Sequence, residues 1–142
     1  MIRVAKLLFA AVLGVAFMGL RANAQGPCTE SVIKAAKAEH EADDLYFFSS
    51  SINKPIVGKA DIAKALAVVH ANHKNRKSGP WLDERVVASP AGDMAYVYGS
   101  YTLSYDEVDS GKHVEFTNAY LRVFKADGDT CKIVAEMYER ER

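Results

Sequence analysis

The chain has 142 residues, 49% of them hydrophobic, with 18 basic side chains against 18 acidic ones. That length and balance suit one ordinary domain with a single core. They exclude the basic stripe that a phosphate backbone requires, so nucleic acid is not an expected partner.

Arg3 and Lys6 precede an apolar run over residues 7–20, and Ala22-Asn23-Ala24 places small residues where a signal peptidase reads them. This predicts a secretory signal peptide over residues 1–24 and a mature domain over residues 25–142, periplasmic or secreted. The run is short for an anchor across ~30 Å of hydrocarbon, so no membrane attachment is expected after cleavage. Cleavage removes Arg3, Lys6 and Arg21 but no acid, which leaves a mature net charge of −3. Both cysteines, Cys28 and Cys131, lie in the mature part. In an oxidising compartment an even count suggests a disulfide; two separate buried thiols are the alternative.

Residues 29–44 carry a helical pattern. Thr29 can cap it, Glu30 suits the first turn, and alanines fill the body. Ile33, Ala36, His40 and Asp44 share one face. In one orientation His40 and Asp44 project into a cavity. In the other, Val32, Ala35 and Ala36 are buried, while His40, Asp43 and Asp44 are solvated among Lys37, Glu39 and Glu41. The weak amphipathic pattern favours the second.

A short strand is expected over residues 45–52, ending at the turn Asn53-Lys54-Pro55. A second helix opens at Gly58-Lys59-Ala60-Asp61, with Ile62, Ala65, Leu66 and Val69 apolar. Lys74, Arg76 and Lys77 suit its C-terminal dipole, and Ser78-Gly79-Pro80 ends it. His70 and His73, one turn apart, could offer two imidazoles to a metal. No carboxylate or thiolate sits at a matching spacing, so neither a metal site nor a cofactor is expected. Trp81, the single tryptophan, reads as a core or dimer-face anchor.

From Arg85 onward, runs rich in Val, Tyr, Phe, Thr and Ile cover residues 85–89, 94–105, 113–125 and 130–138. They are separated by Pro90-Ala91-Gly92-Asp93, by a loop over residues 106–112, and by Asp127-Gly128-Asp129. This predicts a four-strand antiparallel meander. A turn centred on Asp127-Gly128 sets Phe124 across from Cys131, Arg122 from Ile133, Tyr120 from Ala135 and Asn118 from Met137. One face then carries Cys131, Ile133, Ala135, Met137, Phe124, Tyr120 and Phe116 against the helices, together with Asn118 and Arg122. Those two polar groups must be hydrogen-bonded or open on a cavity. The other face carries Leu121, Val123, Val134 and Tyr138 and is too apolar to stay bare, so a homodimer through the sheet is expected. For residues 94–105 the favoured register sends Ala95, Val97 and Tyr101 inward, with Gly99 at a bend or bulge and Tyr101 beside Asn118. The competing register sends Tyr96, Tyr98 and Ser100 inward.

Gly58 through Ile62, then Gly92-Asp93-Met94-Ala95-Tyr96-Val97-Tyr98-Gly99-Ser100-Tyr101, then Tyr120-Leu121-Arg122-Val123-Phe124, and Asp127-Gly128 leading to Lys132-Ile133-Val134-Ala135 form a recurring pattern. Over residues 29–139 the chain resembles the SnoaL-like members of the nuclear transport factor 2 and ketosteroid isomerase superfamily, most of all its large subgroup of unknown function. The resemblance implies an α+β fold, a cystatin-like α+β barrel in which a cone-shaped, antiparallel-rich sheet wraps N-terminal helices around an apolar pocket. It also implies a homodimer through the sheet. The departures bear on chemistry. The helix that members carry between the first helix and the first strand is shortened or merged. Isomerase relatives place an aspartate base shortly before the Gly-x-x-x-Ile helix, yet residues 45–57 hold no carboxylate. Their helix tyrosine has no counterpart in residues 29–44 unless His40 stands in, and Cys131 replaces the usual tryptophan after the Asp-Gly turn.

Two functions follow. The favoured one is an exported, non-enzymatic pocket domain that binds a small apolar or aromatic ligand, or a protein partner, through Tyr101, Asn118, Tyr120, Arg122 and His40. The other is a small isomerase, cyclase or hydratase-type enzyme with His40 or Asp44 as base and Tyr101 or Tyr120 as donor. A shared fold does not carry chemistry by itself.

Overall fold

The computed structural model describes residues 26–36 and 40–141. The expected signal peptide and the mature start at Gln25 lie outside the described residues. The described elements are α1 (Glu30–Ala35), β1 (Glu41–Ser49), β2 (Ile56–Val57), α2 (Lys59–His70), β3 (His73–Ala88), β4 (Met94–Glu107), β5 (His113–Asp127) and β6 (Thr130–Arg140). Six strands form one sheet in the order β2-β1-β6-β5-β4-β3. The expected meander is β3 to β6, antiparallel throughout, while β1 joins β6 in parallel and turns back antiparallel to β2. This is an α+β fold.

Both helices are shorter than the sequence suggests. Thr29 does cap α1, its hydroxyl accepting from the Val32 N–H, but Ala36 is already extended and the chain enters β1 at Glu41. Local helix propensity, even alanine's, is marginal in so short a segment, and pairing of β1 with β2 and β6 outweighs it. α2 ends at His70, and Lys74, Arg76 and Lys77 lie on β3 instead. β3 is an edge strand with three register shifts against β4, and Asn75 and Asp83 adopt positive φ within it. An edge strand tolerates Pro80, and its lysines and bulges discourage further pairing.

β4 takes the favoured register: Ala95, Val97, Tyr101 and Leu103 are buried while Tyr96 and Tyr98 are exposed. Gly99 is not itself bulged; the irregularity lies opposite, between Leu82 and Arg85 of β3. A Cβ there would sit 2.9 Å from the Leu82 carbonyl oxygen and 3.2 Å from the Tyr120 ring, so glycine permits the close approach.

The β5–β6 hairpin departs further from expectation. Its turn is Gly128-Asp129, with Asp127 opposite Thr130, Ala126 opposite Cys131 and Phe124 opposite Ile133. Val134 is then an extra residue, because Val123 pairs with Ala135. The bulge reverses the facing of everything after it: Glu136 and Tyr138 turn inward, and Met137, expected in the core, is 46% exposed. Arg122 consequently faces Glu136 across the ladder rather than Ile133.

The core joins Cys28, Ile33, Leu45, Phe47, Ile62, Ala95, Val97, Phe124, Cys131 and Ile133. Cys28 and Cys131 form a disulfide with a Cα–Cα distance of 5.1 Å. Closing a loop of about 100 residues stabilises by about 4 to 5 kcal/mol in the chain-entropy model. The segment before α1 is also tied to the β3–β4 turn, with the Gly26 N–H donating to the Ala91 carbonyl and Cys28 N–H to that of Gly92. Among the described residues no helix is long and apolar enough to cross a membrane.

Candidate functional site

Between the inner face of the sheet and α2 lies an open cavity of about 510 Å³. Its lining comes from every element except α1 and β2: Leu66, Val69 and His70 of α2, then residues of β1 and of β3 through β6. The volume falls within the range of small-molecule pockets.

One end is aromatic. Trp81 packs tilted against Tyr101 with ring centroids 4.7 Å apart, and edge-on to Tyr120 at 4.8 Å. Tyr138 completes the group, its ring 6.3 Å from that of Tyr101. Asn118 and Glu136, 8% and 6% exposed, are the buried polar side chains here. The Asn118 amide donates to the Tyr101 hydroxyl at 3.1 Å. Arg122 Nε lies 2.8 Å from Glu136 Oε1, while Arg122 Nη2 donates to the Tyr138 hydroxyl at 2.9 Å. The guanidinium also lies 5.6 Å from the Trp81 ring centroid and 5.8 Å from that of Tyr120. Burial pushes the Glu136 carboxyl above the usual carboxylate range, partly opposed by Arg122. Burial likewise raises the Tyr120 and Tyr138 hydroxyls, with Glu84 and Glu136 adding to it. Burial works against the Arg122 charge, but Tyr138 and Glu136 outweigh it and hold its pKa up.

The other end is basic. His70 and His73, from the end of α2 and the start of β3, have ring centroids 5.9 Å apart, and His73 stacks on Tyr105 at 3.7 Å. His73 Nδ1 is buried without a hydrogen bond. Burial lowers both histidine pKa values, and the charge of Arg76 lowers them further, so both are neutral at pH 7. The Arg140 guanidinium lies 4.2 Å from the Phe116 ring centroid. Among the described residues neither Arg76 nor Arg140 belongs to an ion pair.

Of the six residues singled out from sequence, Tyr101, Asn118 and Arg122 line this cavity. Tyr120 stands behind Trp81, and its hydroxyl donates to Glu84 Oε2 at 2.5 Å. Asp44 lies exposed on β1, not on a helix, where residues 42–45 bulge against β6. His40 is half-buried just before β1, and neither it nor Asp44 lines the cavity. Sequence reasoning missed Trp81 as a lining residue, and with it Glu136, Tyr138, Arg76 and Arg140. One signal for Glu136 was present: an inward arginine demands an acidic partner, and the straight register set an isoleucine opposite it. Among the described residues no group of three His, Cys, Asp or Glu side chains is arranged to hold a metal ion.

No protein-family model matches the sequence, and comparison with curated proteins finds no relative. Solved structures do share the fold. A ketosteroid isomerase-like protein from Erwinia carotovora atroseptica superposes with a TM-score of 0.59 at 11% identity, over 73% of this chain and 78% of its own. A nuclear transport factor 2-like superfamily protein from Salmonella enterica gives 0.58 at 15% identity, over 71% and 70%. A protein with a ketosteroid isomerase-like fold from Catenulispora acidiphila, solved in complex with trimethylamine, gives 0.50 at 14% identity, over 70% and 68%. The chain therefore has the fold of the nuclear transport factor 2-like and ketosteroid isomerase-like proteins.

Proposed function

We propose that this chain is an exported pocket domain that binds a small apolar or aromatic molecule, without catalysis that can be assigned to it. The observation that carries this reading is the cavity of about 510 Å³ walled by Trp81, Tyr101 and Tyr138. Aromatic walls supply large contact area, and a few fixed polar groups such as Asn118 orient what enters. The trimethylamine bound by a protein of the same fold is consistent with small-molecule binding on this scaffold. The isomerase-type alternative rested on His40 or Asp44, and neither reaches the cavity. The cavity's own buried carboxyl, Glu136, is engaged by Arg122.

A homodimer through the outer face of the sheet belongs to the same proposal. That face exposes Val87, Met94, Tyr96 and Tyr98 around a second, shallow apolar hollow that Leu121 and Val123 also line. Apolar area of this kind is characteristic of interfaces. Native mass spectrometry of the purified, exported protein tests the whole reading. The expected result is a mass starting at Gln25, lacking two thiol hydrogens, at twice the chain mass, with a small molecule released on activation. A protein that retains residues 1–24 contradicts export, and a strictly monomeric one contradicts the dimer. Failure to retain or take up any small apolar or aromatic compound contradicts the ligand function.

A further inference from the structure

Charge divides the cavity. Three arginines line it, Arg76, Arg122 and Arg140, against two carboxyls, Glu41 and Glu136. Arg122 is neutralised by Glu136 at 2.8 Å, and Glu41 is close enough to Glu136 to push its pKa up, so both acids belong to the aromatic end. Arg76 and Arg140 are left at the opposite end with two neutral imidazoles and no acidic partner among the described ion pairs. Asn118 bridges the ends: its backbone pairs with Tyr101 on one side and with Arg140 on the other. Two strand spacings, ~10 Å, therefore separate the backbone of the aromatic wall from that of the free guanidinium.

Resting on the binding function proposed above, we infer that the ligand is a small aromatic carboxylate. Its ring lies against Trp81 and Tyr101, and its carboxylate is held by Arg76 and Arg140. Guanidinium groups match carboxylates by charge-assisted, forked hydrogen bonds, and Arg140 is steadied by its seat over Phe116. Neutral His70 and His73 add N–H donors at that end without further charge. An aromatic amine would instead bring its cation to the arginine end, or crowd it beside Arg122 at the other.

Isothermal titration of the purified protein at low ionic strength with phenylacetate, phenylacetamide and phenethylamine tests this. Phenylacetate is expected to bind at least about tenfold more tightly than the amide, because charge-assisted bonds exceed neutral ones. In R76Q/R140Q that preference is expected to shrink to within about twofold, while R76K/R140K keeps part of it. The wild-type comparison of probes stands even if a variant fails to fold. The amide binding as tightly as the acid, the amine binding tightest, or a preference that survives in folded R76Q/R140Q overturns the inference while leaving the pocket function in place. Binding by none of the three overturns both.

Discussion

The two ends of the cavity hold their arginines in opposite ways. Arg122 is locked among Glu136, Tyr138, Trp81 and Tyr120, with Nε and Nη2 both engaged from within the fold. Arg76 and Arg140 stand on exposed strand positions without an acidic partner among the described residues. A half-buried cation paired to a buried carboxyl belongs to the architecture, because removing it strands the carboxyl. An open cation costs the fold little and remains available to a ligand. A lining residue's role is thus set by its partners, not by its type.

Substitution should separate the two ends most sharply. R122A leaves Glu136 buried without its cation and is expected to cost about 3 to 5 kcal/mol in urea denaturation. R76A or R140A should cost less than about 1 kcal/mol, the latter through lost contact with Phe116. Equal losses at both ends would erase the distinction. G99A is next: the added methyl meets the Leu82 backbone and the Tyr120 ring, and overpacking of this kind costs about 1 to 3 kcal/mol. It should disturb the aromatic end alone, read as a changed Trp81 emission. Y120F removes the hydrogen bond to Glu84 and should cost about 1 kcal/mol with Trp81 packing kept.

The smallest effect is a difference in pH dependence. The His70 and His73 pKa values are lowered on folding, so their contribution to stability is present above about pH 6.5 and is lost as pH falls through that value. The Glu136 pKa is raised on folding, so its contribution has the opposite sign, growing as pH falls toward the ordinary carboxylate range. Between pH 7.5 and 5.5, H70Q/H73Q should therefore lose less stability than the wild type, whereas E136Q should fall further behind the wild type as pH approaches the ordinary carboxylate range. Denaturation midpoints followed from pH 7.5 down to about 4.5 check both signs.

Strand existence was legible because β-rich runs and Gly-Asp turns punctuate residues 85–138, and burial of Ala95, Val97 and Tyr101 follows from alternation along β4. Helix ends were not legible. Residues 41–44 read as helix, and Lys74 to Lys77 as a helix end, because propensity is local while β1 and β3 are stabilised by partners distant in sequence. A single bulged residue, Val134, decided most of the site. It exchanged Met137 for Glu136 and Tyr138, and no residue type announces a bulge at a valine. His40 and Asp44 drew notice for their spacing on a helix that does not extend that far.

The most direct test of ligand binding is an amide and indole NMR titration of the protein with p-cresol, a small neutral aromatic probe. Saturable shifts are expected at the Trp81 indole N–H and the Asn118 side-chain amide, with Tyr96 and Val123 on the outer face unmoved. Shifts confined to the outer face, or none at Trp81 and Asn118, would contradict it.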